Sequence, residues 1–135
     1  MRKFFIAFML LFSLSFLPCN AQTYWYQSTA FSYKHISSYG RWTDWAPWEQ
    51  SSVRISIDVD RDLIKIFSPM TQIYFVTRYD GKFTDSSGGE QVQYSVVDQD
   101  RDTGKIRLRV ERNGNSQLYV EFSDVMWVYN VVRIN

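Results

Sequence analysis

Apolar and polar residues alternate with a period of two through most of the chain after residue 21. In segment 53–59 every second position is valine or isoleucine, and arginine, serine and aspartate lie between them. This period is typical of a β-strand with one buried face. Six further segments are strand-like, because they alternate or are rich in β-branched and aromatic residues: 62–68, 71–79, 90–98, 105–112, 116–124 and 125–134. No segment keeps a 3.6-residue stripe, so we predict essentially no long helix.

Short turn-like stretches separate these segments, which indicates antiparallel strands joined by hairpins. They are DVDRD (58–62), SPM (68–70), DSSGGE (85–90), DQDRDTG (98–104) and NGN (113–115). Asn113-Gly114 favours a two-residue type I′ turn. Counting from Trp42, the chain predicts about eight strands, which suits an all-β, compact antiparallel up-and-down barrel. A two-sheet β-sandwich is the alternative, and residues 23–36 are either a further strand or a strap across a barrel end.

The first 21 residues resemble a secretory signal peptide in their layout. Arg2 and Lys3 precede an apolar run over 4–17, and small residues at Cys19 and Ala21 suit the −3 and −1 positions of a cleavage site. The run is shorter than the ~20 residues that span a bilayer. We therefore predict a signal peptide over 1–21 and one all-β domain over 22–135, exported to the periplasm or secreted. An uncleaved anchor and lipidation at Cys19 are the alternatives.

Charge and cysteine content narrow the functions of the predicted domain. Without Arg2 and Lys3 the chain keeps 13 basic against 14 acidic residues. This near-neutral balance argues against nucleic acid as a partner. The single cysteine leaves with the signal, so no disulfide supports the fold. The core must then depend on burial, for which the chain's 5 Trp and 9 Tyr supply large side chains.

The acidic stretch at 98–104 has the alternating carboxylates of a calcium loop. Asp98, Asp100 and Asp102 lie at alternate positions. An EF-hand loop has glycine at its sixth position and glutamate at its twelfth, where this chain has Thr103 and Arg109. We interpret the stretch as a solvated hairpin turn in which aspartate bonds to the backbone. A weak calcium site is the alternative.

Candidate catalytic groups are few. His35 is the only histidine, no Ser-His-Asp relationship is evident, and no histidine cluster suits zinc. Glu111 and Glu121 lie on the polar side of their strands, where with the neighbouring arginines they predict a mixed-charge exposed face. We predict no catalytic residue, no metal and no cofactor, and keep a small envelope enzyme as a third option.

Aromatic residues are the candidates for ligand contact. Trp45 and Trp48 flank Ala46-Pro47 in a stretch without alternation. Together with Trp25 and Tyr26 they are our candidate ligand-binding residues, because aromatic rings stack on sugars and line apolar cavities. Three other aromatics lie in strand periodicity and are assigned mainly to the core: Phe122, Trp127 and Tyr129.

Gly40-Arg41-Trp42 resembles the G-x-W signature that opens the first strand of lipocalins and related calycin barrels. In that family the tryptophan closes one barrel end and a late arginine packs across its indole. The resemblance implies that Gly40, Trp42 and Arg133 close the barrel through a cation–π contact. It also implies a meander of about eight strands after the motif.

The pattern as a whole favours an exported, non-catalytic, lipocalin-like binding protein for a small apolar or amphipathic molecule, held within the barrel or at its mouth. A closed container predicts a cavity lined by Val53, Ile55, Ile106 and Leu108; if these residues fill the interior, surface binding gains weight. The alternative is a β-sandwich module that binds glycan or protein through exposed aromatics.

Overall fold

The computed structural model describes residues 22–135, and the predicted signal peptide with Cys19 lies outside the described residues. The described chain contains nine strands and no helix. They are β1 (Thr23–His35), β2 (Glu49–Gln50), β3 (Arg54–Asp58), β4 (Leu63–Ile66), β5 (Gln72–Thr84), β6 (Glu90–Val97), β7 (Thr103–Val110), β8 (Ser116–Glu121) and β9 (Val125–Arg133).

Eight of these strands close into an antiparallel barrel. Each strand from β3 to β8 pairs with the next along the chain, and β1 pairs with both β3 and β9. The two-residue β2 adds to the edge of β1 beyond β3. The predicted all-β, up-and-down barrel of about eight strands is confirmed, and the sandwich alternative is wrong because the sheet has no second layer.

The first barrel strand is β1, not a strand opened by Trp42. Its alternation changes phase at Thr29, where the register with β9 shifts between Ser28 and Ala30. Such a bulge adds one residue and turns the following side chains to the opposite face. As a result Tyr26 and Phe31 both face the interior, although five positions separate them. The sequence prediction that counted strands from Trp42 was wrong at this point.

A packed aliphatic layer fills the middle of the barrel. Ile55, Ile64, Ile106 and Leu118 have no exposed surface. Tyrosines and valines continue the core above and below this layer. Of the four residues predicted to line a cavity, Ile55 and Ile106 instead fill the interior and Leu108 packs against the core, whereas Val53 lines a cleft at one end of the barrel. The barrel is therefore not an open container along its length.

Four turns share one backbone pattern, in which three residues lie between a hydrogen-bonded closing pair. The pairs are 37/41, 85/89, 98/102 and 111/115, and the residue before the second member has positive φ. This is the three-residue hairpin loop that ends in a left-handed residue. Gly114 holds that position in the last turn, so the predicted two-residue type I′ turn at Asn113-Gly114 was wrong. Gly40 holds it in the first.

The outer face of β6 to β8 carries a connected set of charged side chains, as predicted, but these side chains are only partly exposed. Arg107 bonds to Glu121. The Arg109 guanidinium lies 2.8 Å from both Asp85 and Glu111.

Among residues 22–135, the structure contains no helix with the length and apolar character needed to span a membrane.

Candidate functional site

A cleft of about 540 Å³ opens at one end of the barrel. It lies where the end of β1 and the start of β9 meet the β4–β5 turn and the segment that leads into β3. Its apolar walls are formed by Phe31, Tyr33, Val53, Pro69, Val125, Trp127 and Tyr129. Ser51, Ser68 and Gln72 supply the polar part of the lining. Among the described residues, the lining contains no carboxylate, amine or imidazole.

Gln72 organises the polar groups beside the cleft. Its Nε2 donates to Ser68 Oγ at 3.2 Å and to the Tyr129 hydroxyl at 3.4 Å. Its Oε1 accepts a hydrogen bond from the Tyr74 hydroxyl at 2.6 Å. Alternation along β5 places Gln72 on the same face as Tyr74, which is buried. A glutamine on an apolar strand face was the sequence signal for this site, and the sequence prediction missed it.

The Tyr129 hydroxyl is a neutral donor at the cleft. It accepts the bond from Gln72, which leaves its own hydrogen free for another acceptor. Burial raises the pKa of Tyr129, and the Gln72 bond lowers it by less. The hydroxyl therefore stays protonated at neutral pH.

Trp127 lines the cleft and carries a second donor, which is itself enclosed by protein atoms. Its Nε1–H is buried and has no hydrogen-bond partner. Its ring stacks on Phe122 with centroids 5.9 Å apart, which fixes the plane of the indole. Because an unpaired buried donor costs about 1–3 kcal/mol, an acceptor that reached Nε1 would recover part of that free energy. The sequence pattern assigned Trp127 and Tyr129 mainly to the core. Tyr129 is buried in the core, Trp127 packs against it, and both residues also line the cleft.

An acidic recess of about 400 Å³ adjoins the cleft and shares Val125 and Trp127 with it. Asp98, Asp102 and Asp124 contribute to its lining. Asp98 Oδ1 accepts the backbone N–H groups of residues 100 and 102, both at 2.9 Å, so this carboxylate holds the turn together. Within residues 22–135, no group of three or more His, Cys, Asp or Glu is arranged to hold a metal ion.

Trp45 and Trp48 lie on the outside of the barrel, in a segment that we call the tryptophan strap (residues 42–48). The strap is held on β1 by hydrogen bonds from Ala46 N to the Tyr33 carbonyl, 2.8 Å, and from Ser32 Oγ to the Ala46 carbonyl, 2.6 Å. Trp45 is 40% exposed and Trp48 is 50% exposed. Both tryptophans are therefore separated from the cleft by the barrel wall.

The other two candidate ligand residues are also remote from the cleft. Trp25 faces outward near the opposite end of β1 and stacks on Phe67 with centroids 5.9 Å apart. Tyr26 faces inward and is 7% exposed. The four candidates thus do not form one site.

The expected contact between Trp42 and Arg133 is not formed. Trp42 bridges to Ile36, just past one end of β1, whereas Arg133 pairs with Tyr26 near the other end. The Arg133 guanidinium lies 4.7 Å from the centre of the Tyr24 ring. Trp42 instead has the Lys34 ammonium at 5.4 Å. Gly40 serves the 37–41 turn, so these three residues do not close a barrel end together.

Searches with the whole sequence and structure found no matching protein-family model, no matching curated protein and no matching solved structure. The resemblance of Gly40-Arg41-Trp42 to the lipocalin signature remains a prediction.

Proposed function

We propose that this protein is an exported, non-catalytic binding protein that holds a small apolar or amphipathic molecule in the cleft at the mouth of its barrel. The observation that carries the proposal is an aromatic-walled cleft of about 540 Å³. Small-molecule sites are typically concave, mostly apolar and about 300–1,000 Å³ in volume, with a few placed polar groups.

The two donors favour a ligand with an acceptor oxygen. Trp127 Nε1 lacks a partner, and the Tyr129 hydroxyl hydrogen is free. An apolar body would occupy the space between Phe31 and Val53, while a carbonyl, ether or hydroxyl oxygen would accept from the Tyr129 hydroxyl and, once the side chains around the cleft shift to admit it, from Trp127 Nε1. The packed layer at Ile55 and Ile106 limits the ligand to the mouth.

The proposal is tested by mass spectrometry of the natively purified protein for a copurifying small molecule, and by tryptophan fluorescence titration with that molecule. If none copurifies, a neutral fluorescent apolar probe replaces it. We expect saturable binding that Trp127→Phe weakens by about tenfold, since one lost hydrogen bond in an apolar site is worth about 1–2 kcal/mol.

Trp25→Phe is the matched control, because it makes the same change on the outer face and should leave the affinity unchanged. Equal loss in both variants, or no saturable binding of either molecule, would contradict the proposal. Binding that is lost instead in Trp48→Phe would favour surface recognition through the exposed aromatics of the strap.

A further inference from the structure

Five side chains with hydrogen-bond donors gather at the barrel end opposite the cleft. We call this group the tyrosine end: Tyr24, Tyr26, Tyr79, Tyr94 and Arg133. Arg133 pairs directly with Tyr26 across β1 and β9, so both side chains leave the sheet on its inner face. Tyr79 and Tyr94 pair across β5 and β6, with ring centroids 5.7 Å apart. The barrel thus brings together residues from four strands.

The guanidinium of Arg133 has no carboxylate partner among the described residues. The ion pairs of residues 22–135 involve other cations. Arg133 lies against the Tyr24 ring at 4.7 Å, and this cation–π contact fixes its position while its N–H edge stays available. A guanidinium so placed presents several donors in a plane and suits the oxygens of an anion.

The tyrosine hydroxyls add neutral donors to this charge. Within the described chain, hydrogen bonds to tyrosine hydroxyls involve Tyr74, Tyr119 and Tyr129, and no member of the tyrosine end. Tyr26 is 7% exposed, and its hydroxyl, which is not enclosed by protein atoms, has no hydrogen-bond partner among the described residues. Burial raises the pKa of Tyr26, and the charge of Arg133 lowers it by less.

The tyrosines are close enough to influence one another. Burial raises the pKa of Tyr94, and three neighbouring tyrosines raise it further, in the order Tyr79, Tyr26, Tyr24. Because the raised pKa keeps the Tyr26 and Tyr94 hydroxyls protonated at neutral pH, they can donate hydrogen bonds beside a fixed cation.

We propose that the tyrosine end is a second binding site, for a small oxyanion such as phosphate or a carboxylate, held by Arg133 and the hydroxyl of Tyr26. This site is independent of the cleft, because the unexposed side chains of Ile55, Ile106 and Leu118 fill the barrel between them. It needs no ligand in the cleft and would survive the failure of the proposed function.

The test is an NMR titration of the ¹⁵N-labelled protein with inorganic phosphate, and separately with acetate, at constant ionic strength. We expect saturable shifts in the Arg133 side-chain Nε–H signal and in the backbone amides near residues 24–26, with a dissociation constant on the order of millimolar. Arg133→Gln should weaken binding by about tenfold or more, and Tyr26→Phe by about threefold, because one loses a charge-assisted bond and the other a neutral one.

Arg41→Gln is the control, since Arg41 is an exposed arginine of the 37–41 turn, near the opposite end of β1. Saturable binding of either anion with this dependence on Arg133 and Tyr26 supports the site. The proposal is overturned if the unaltered protein gives no saturable shift with either anion, or if Arg41→Gln weakens binding as much as Arg133→Gln does.

Discussion

The Asp80 carboxylate is surrounded by donors at a bulge in β5. It accepts hydrogen bonds from Gln93 Nε2 at 3.0 Å, from Arg78 Nε at 2.6 Å and from Ser95 Oγ at 2.8 Å. These bonds, with that from Gln93 the largest contribution, lower the pKa of Asp80 from 3.8 to about 2. The register of β5 with β6 shifts at this position, between Tyr79 and Gly81, and also earlier in the strand, between Val76 and Arg78. One ionised side chain therefore ties an irregular strand to its neighbour.

The depressed pKa of Asp80 predicts how stability depends on pH. Above about pH 4 the carboxylate is ionised in both states, and its contribution to folding is complete. As the pH falls from about 4 towards 2, the unfolded state takes up the proton first, so the free energy of unfolding decreases. Asp80→Asn removes this titrating group, so the number of protons taken up on unfolding in this pH range should fall by up to about one.

Urea unfolding followed by circular dichroism between pH 2 and 5 measures this effect. Gln93→Ala should also weaken the pH dependence of the free energy of unfolding, but by less than Asp80→Asn, since it removes one of the three donors. An Asp80→Asn protein with the same pH dependence as the unaltered protein would contradict the assignment.

Among the elements, the tryptophan strap shows how an irregular segment can be ordered without being a strand. The Lys34 ammonium on β1 lies 4.7 Å from the Trp45 ring and 5.4 Å from the Trp42 ring. Trp45 also meets Tyr119 of β8 edge-on, with centroids 6.3 Å apart. Beneath the strap, Val128 is 2% exposed although it faces outward from β9. The strap thus supplies an outer cover for part of the barrel wall.

Lys34→Gln tests whether the lysine holds the strap. The substitution removes the cation between two partly exposed indoles, and we expect a loss of about 1–2 kcal/mol in the free energy of unfolding. Lys65 on β4 makes no cation–π contact among the described residues, so Lys65→Gln should change stability by less than about 0.5 kcal/mol. Denaturant unfolding with tryptophan fluorescence measures both, and equal effects would refute a specific role for Lys34.

The elements also show what the sequence could and could not predict. Strands β3 to β9 each coincide with or overlap a predicted segment, although β5 has two register shifts and extends to Thr84, beyond the predicted segment 71–79. The β1 strand was uncertain because the extra residue at Thr29 interrupts its alternation. Apart from Val53, the lining of the cleft was not predicted, since Phe31, Gln72 and Trp127 become neighbours only when three distant strands close the barrel. The predicted contact of Trp42 with Arg133 was wrong, because the Gly40-Arg41-Trp42 motif does not show which side chain packs against the indole.

At the scale of the whole molecule, stability depends on one layer that separates two chemically different ends. Leu118 belongs to this layer and has no exposed surface. Its neighbours across the sheet are Leu108 of β7 and Tyr129 of β9, so it joins the second half of the barrel to the strand that closes it. A cavity at this position would loosen the packing of both β7 and β9 against β8.

Leu118→Ala should lower the free energy of unfolding by about 2–5 kcal/mol, the range for a leucine removed from a packed core. Val132→Ala on β9 is the control: its side chain is 50% exposed, and we expect a change of less than about 0.5 kcal/mol. Thermal or urea unfolding distinguishes them, and a loss below about 1 kcal/mol for Leu118→Ala would mean that the layer is loosely packed.

The pairing of β1 with β9 has a practical consequence for handling the molecule. The Asn135 side chain donates to the Thr23 carbonyl at 3.0 Å and accepts from Trp25 N at 2.9 Å, so residues 23 and 135 lie side by side. Both are at the barrel end away from the cleft. A tag, fusion partner or surface linker attached beside either residue would therefore leave the cleft facing outward, and an immobilised protein should keep that mouth open to solution.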